Sequence, residues 1–148
     1  CISSAASDVY KRQALQRAAG RADVLVAYTR DEMAAFPGYG TGPDSQAASE
    51  AVFGAPSRQW AADATAQGRQ AWLARFDVAP TEAFLACHCI ELPFVFGTLD
   101  AFASAPMLHG LPSAQAARLT ETTQGAWLAF IRGDAPDWPP APYLHVLD

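Results

Sequence analysis

Asp23-Val-Leu-Val-Ala-Tyr28 is short, almost continuously apolar and rich in β-branched side chains, with Gly20 ahead of it and the polar cluster Thr29-Arg-Asp-Glu32 directly behind. Such a run predicts a β-strand buried on both faces, the habit of parallel sheets covered by helices. In open α/β sheets a parallel strand delivers the residues that follow it to the carboxyl edge, where these folds bind their ligands. Glu32 is a candidate site residue by that position. Ala71-Trp-Leu-Ala-Arg-Phe76 supplies a second strand, with Trp72, Ala74 and Phe76 on one face and Leu73 and Arg75 on the other.

Helical signals surround these strands. Pro56 suits a first helical position and Gly68 a stop, with Trp60, Ala61 and Ala64 at helical spacing between them, so a helix is expected over about Pro56 to Gln67. A longer one is expected from Ser113, read as its cap, to Gly133, with Leu119, Thr123, Trp127, Phe130 and Ile131 along one stripe. The tail reads as an extended loop through Trp138-Pro-Pro-Ala-Pro142 and a short final strand from Tyr143 to Leu147. Phe36 to Gln46 has loop composition. Its Gly38-Tyr-Gly-Thr-Gly42 lacks the Lys-Ser/Thr ending and the helix opening directly behind that a phosphate cradle needs. The class is α/β.

At 148 residues, 51% of them apolar and 17% charged, the chain suffices for one globular unit and not for two. Its formal charge of -5 has the wrong sign for gripping phosphate backbones, which argues against a nucleic-acid partner. No run approaches the roughly 18 apolar residues of a membrane-spanning helix. Residues 1–13 are polar and aperiodic and are expected to be a leader, non-native or disordered; Ser7 to Gln13 resembles translated adaptor sequence at the ends of assembled reading frames, which puts the start of native sequence near Ala14. The fold would then occupy 14–148.

Cys87-His88-Cys89 places three ligand types in a row, but neighbours on an extended segment point to opposite faces and cannot converge on one ion. No metal site is expected, and the cysteines read as buried structural thiols. The same divergence leaves the imidazole badly placed to deprotonate either sulfur. A triad logic fits better. Glu32 follows one strand and His88 the next, 56 residues apart, so both fall at one sheet edge, where a carboxylate can fix the tautomer of an imidazole that accepts a hydroxyl proton.

Ala86-Cys-His-Cys-Ile-Glu-Leu-Pro-Phe-Val-Phe-Gly97 resembles the catalytic-histidine motif of the type-B carboxylesterases, the family of p-nitrobenzyl esterases and cholinesterases. Four more segments are similar in the family's order: Val24 to Met33, Ala71 to Asp77, Gln124 to Phe130 with Gly133 and Pro136, and Trp138-Pro139. The resemblance runs from about Gly20 to the last residue. It implies the C-terminal part of an α/β-hydrolase fold, an incomplete sheet with flanking helices. It implies His88 as general base and acid, Glu32 rather than Asp31 as its carboxylate partner, and Glu91 in a polar layer behind them, unless Glu91 is simply a solvated carboxylate. Asp31 is then structural, bonding backbone in the turn. The family's nucleophile lies in a Gly-x-Ser-x-Gly elbow. No serine here has those glycines, so this chain holds no nucleophile, and the stretch between Glu32 and Pro56 is shorter than the family's.

The resemblance therefore implies a serine esterase working on small-molecule esters, without metal or cofactor, whose missing N-terminal part belongs to the same polypeptide; the chain alone is expected to be inactive. The alternatives are a non-catalytic hydrolase-fold protein used for binding or adhesion, told apart by an upstream elbow, and a stand-alone interaction domain, disfavoured because both strands look too deeply buried. Phe36, Phe94, Phe96, Phe102 and Trp127 could line an acyl pocket, but most large apolar side chains are simply core, and none of them is assigned to a site. His109 and His145 read as surface or packing residues.

Overall fold

A computed structural model describes residues 13–148. The expected leader thus lies, but for its last residue, outside the described residues. Helix α1 (13–19) leads into strand β1 (Val24–Thr29), followed by α2 (Pro43–Ser49), α3 (Ala55–Ala66), β2 (Ala71–Phe76), the short α4 (Leu92–Phe96), the long α5 (Ser113–Ile131) and β3 (Leu144–Leu147). The strands form a parallel sheet in the order β1-β2-β3. Val24 lies opposite Ala71 and Thr29 opposite Phe76, so β1 and β2 end level with each other.

The alternation in β2 sorts two cores. Trp72, Ala74 and Phe76 face α4 and α5 and join Phe94, Leu119, Ala126 and Leu147; Ala71 and Leu73 face the other way, toward Ala19, Ala61 and Ala64. Phe76 stacks on Phe94 at 6.2 Å, which seats α4 beneath the carboxyl end of the sheet. β2 is buried on both faces as its sequence suggests. β1 is not: Val24 to Ala27 are only half-buried, because β1 is an edge strand and one side of it has no neighbour among the described residues.

Helices depart from expectation at three places. The chain turns helical at Pro43, not Pro56; α2 runs through a π-turn, Glu50–Gly54, into α3, and Pro56 lies inside that continuous rod. Proline can sit there because the widened turn bonds the Ala55 N–H to the Glu50 carbonyl and tolerates the missing N–H that follows. A helix therefore does open directly behind Gly42, although its first residue is a proline and the lysine of a phosphate loop is still absent. Ser113 is the first residue of α5 and not its cap, the capping position being Pro112. The stripe of α5 buries Ala116, Leu119, Thr123 and Ala126, while Ile131 at its last position is 73% exposed. Gly133, at φ +88, ends the helix, and the Asp134 N–H turns back to the Ala129 carbonyl.

Among the described residues no helix is long and apolar enough to cross a membrane. The half-exposed β1 edge presents unpaired backbone groups beside Val24 and Val26, a template for another strand. Expressed by itself, the chain should run as oligomers or aggregates in size-exclusion chromatography with light scattering. A monodisperse, cooperatively unfolding monomer would contradict this.

Candidate active site

Level strand ends bring two loops together. β1 stops at Thr29 and the chain folds into a tight turn, Glu32–Ala35, while the loop after β2 returns along it through Ala86 to His88. Three backbone-level ties join them. The Asp31 N–H donates to the Ala86 carbonyl at 3.0 Å, the Ala86 N–H donates to the Asp31 carboxylate at 3.2 Å, and the His88 N–H donates to the Glu32 carbonyl at 3.2 Å. Asp31 is 2% exposed and also takes the guanidinium of Arg30 at 2.9 Å. It bonds backbone as expected, but in the histidine loop, 55 residues away, rather than in its own turn.

Glu32 is 4% exposed, and both carboxylate oxygens are used. One accepts the Thr29 N–H at 2.8 Å; the other meets Nδ1 of His88 at 2.5 Å. A buried carboxylate is tolerated only when bonded in this way. The His88 side chain is 41% exposed against 5% for Glu32, so the imidazole has its acid behind it and open space in front. The rings of Phe36 and Phe53 lie against it, each with its centroid 5.4 Å away.

Glu91 sits at the start of α4 with Oε2 buried and without a hydrogen-bond partner among the described residues. Burial pushes its carboxyl pKa up, backbone bonding opposes this, the Glu32 charge adds to the rise and His88 pulls against it. It is therefore no solvated surface carboxylate. Cys87 is buried, with Sγ 3.8 Å from the Met107 sulfur, and burial pushes its thiol up to about 11; Cys89 is half-exposed and also raised by desolvation. Neither is a thiolate at neutral pH. The segment is not extended as the sequence suggested: Leu85 and Cys89 have φ of 51° and 68°, and α4 begins at Leu92. Among the described residues no group of three or more His, Cys, Asp or Glu side chains is placed to hold a metal.

Phe94 belongs to the core, and Phe96, on the outer side of α4, is 67% exposed. His109 is exposed, and His145 is a packing residue stacked on Trp138 at 4.3 Å. Sequence reasoning missed Ser49. Its hydroxyl accepts the Met33 N–H at 2.9 Å and donates to the Ser45 carbonyl at 2.8 Å, which fastens the acid turn to α2. A helix recognised at Pro43 would have put Ser45 and Ser49 one turn apart and drawn attention to them. Phe53 was missed for the same reason.

No protein-family model matches the chain. It is 31% identical over 155 aligned positions to a probable N-octanoylanthranilate hydrolase of Rhodococcus erythropolis, covering 87% of this chain and 34% of that protein. It is 40% identical over 87 positions to phenmedipham hydrolase of Pseudarthrobacter oxydans, covering 53% and 18%, and 35% identical over 85 positions to para-nitrobenzyl esterase of Bacillus subtilis, covering 51% and 17%. A solved structure of PNB esterase superposes with a TM-score of 0.72 at 22% identity, over 90% of this chain and 37% of that one. The fold is part of an α/β-hydrolase, and the chain spans about a third of the length of the first of these relatives.

Two outcomes follow from this geometry. In the complete polypeptide, Asp31→Ala strands the buried Ala86 N–H and should cost about 1–3 kcal/mol in urea unfolding; an unchanged midpoint would show that the tie is idle. Glu91 holds its proton more tightly folded than unfolded, so stability is greatest below the ordinary carboxylate pKa and falls as pH rises through the raised value. Glu91→Gln should flatten that fall above the ordinary carboxylate range. An equal slope in both proteins would remove Glu91 as its source.

Proposed function

Because the chain is a relative of the type-B carboxylesterases, we propose that it carries the proton-shuttling histidine and its acid partner of a carboxylic ester hydrolase that works through an acyl-serine intermediate. The observation that carries this reading is Nδ1 of half-exposed His88 at 2.5 Å from Oε2 of buried Glu32, at the carboxyl edge of a parallel sheet. Glu32 keeps the proton on Nδ1, so Nε2 is the basic nitrogen. Nε2 takes the proton of the serine hydroxyl as that oxygen attacks the ester carbonyl. The imidazolium so formed faces the carboxylate, returns its proton to the leaving alcohol, and the neutral ring then activates water for deacylation.

The serine and the oxyanion donors would come from polypeptide outside these 148 residues, in keeping with the share of its relatives that the chain spans. By itself the chain would show no acyl-enzyme burst and no appreciable turnover. Glu91 would lie in the polar layer behind the pair. Burial pushes its carboxyl pKa up. The substrate class is a small-molecule carboxylic ester.

The test is the complete reading frame, assayed on a short-chain p-nitrophenyl ester. His88→Ala and Glu32→Ala should each lower kcat by roughly 10^4-fold or more. Activity indifferent to His88, or a complete frame without a Gly-x-Ser-x-Gly elbow, would sink the reading in favour of a non-catalytic binding protein.

A further inference from the structure

One hydrogen bond fixes one atom of a ring and leaves its plane free to swing. The second torsion of histidine is broad, and a side chain 41% exposed has other rotamers open to it. Yet two aromatic rings from separate segments meet His88. Phe36 ends the acid turn; Phe53 is carried by the π-turn Glu50–Gly54; their planes are inclined to the imidazole by 46° and 45°. Centroid distances of 5.4 Å lie in the range where tilted aromatic pairs attract.

We propose that Phe53, together with Phe36, is a positioning residue for His88: the two rings hold the imidazole in the one orientation that keeps Nδ1 on Glu32 and leaves Nε2 for the nucleophile, and the π-turn serves to bring Phe53 there. This rests on His88 being the proton shuttle. The scaffold around Phe53 is built for it. Arg58 reaches back across the π-turn to the Glu50 carboxylate and donates to the Tyr28 hydroxyl at 3.1 Å, so the widened turn is pinned both to itself and to β1. Neighbouring Val52 is 56% exposed, whereas Phe53 is half-buried and turned to His88. A widened turn holds one residue more than an α-turn and changes the phase of the helix by about 100° per residue, which decides the side on which residue 53 emerges.

A ring that orients the base and a ring that lines an acyl pocket give different kinetics. In the complete polypeptide, p-nitrophenyl acetate and p-nitrophenyl octanoate are compared for wild type, Phe53→Leu, Phe53→Tyr and His88→Ala. Phe53→Leu, which keeps apolar bulk, should lower kcat about threefold to tenfold on both esters, with KM within about twofold. Phe53→Tyr should bring kcat back to within about twofold of wild type. An unchanged kcat in Phe53→Leu, a loss confined to the octanoate, or a tyrosine variant no better than leucine would each overturn the positioning role while His88→Ala remains inactive. Activity that survives His88→Ala would overturn instead the reading on which it rests.

Discussion

The loops at residues 31–32 and 86–88 are held together by backbone amides and carbonyls and by the Asp31 carboxylate, and the pairing of His88 with Glu32 depends on that seam. β1 and β2 run parallel and end level at Thr29 and Phe76, which delivers both loops to the same edge. Asp31 then closes them with a carboxylate and an amide that both bind Ala86. The bond between Glu32 and His88 is a consequence. With the His88 N–H already on the Glu32 carbonyl, the two side chains have short arms and a single direction in which to meet.

A buried carboxylate in such a place is costly unless its oxygens are occupied. Glu32 meets that condition with one backbone donor and one imidazole nitrogen. Glu91 leaves Oε2 buried without a hydrogen-bond partner among the described residues, and burial pushes its carboxyl pKa up.

The strands were legible in the sequence because β2 carries its alternation in its own residues: Trp72, Ala74 and Phe76 for one core and Leu73 for the other. The α/β-hydrolase fold and the kinship were legible from the segment around His88. The burial of β1 was not, because whether a strand is central or an edge depends on its neighbours and not on its own composition. Pro43, Pro56 and the glycines between Phe36 and Gly42 disguised a continuous helical rod as a loop followed by a late helix, since proline usually marks a helix start and here one lies just past a widened turn. With that rod hidden, Ser49 and Phe53 had no place in the site. Side chains that act by support rather than by chemistry have no residue-type signature.

A widened helical turn is also a form of slack. Changing the length of the stretch that joins the acid turn to the helix by one residue would ordinarily rotate everything downstream on the rod out of phase. A rod that can take up one residue, and is braced by an ion pair spanning the place where it does so, absorbs such a change locally. Insertions and deletions in this connection can then accumulate in evolution without dislodging α3 from the sheet, and the histidine's surroundings can drift while its acid partner stays where the strands put it.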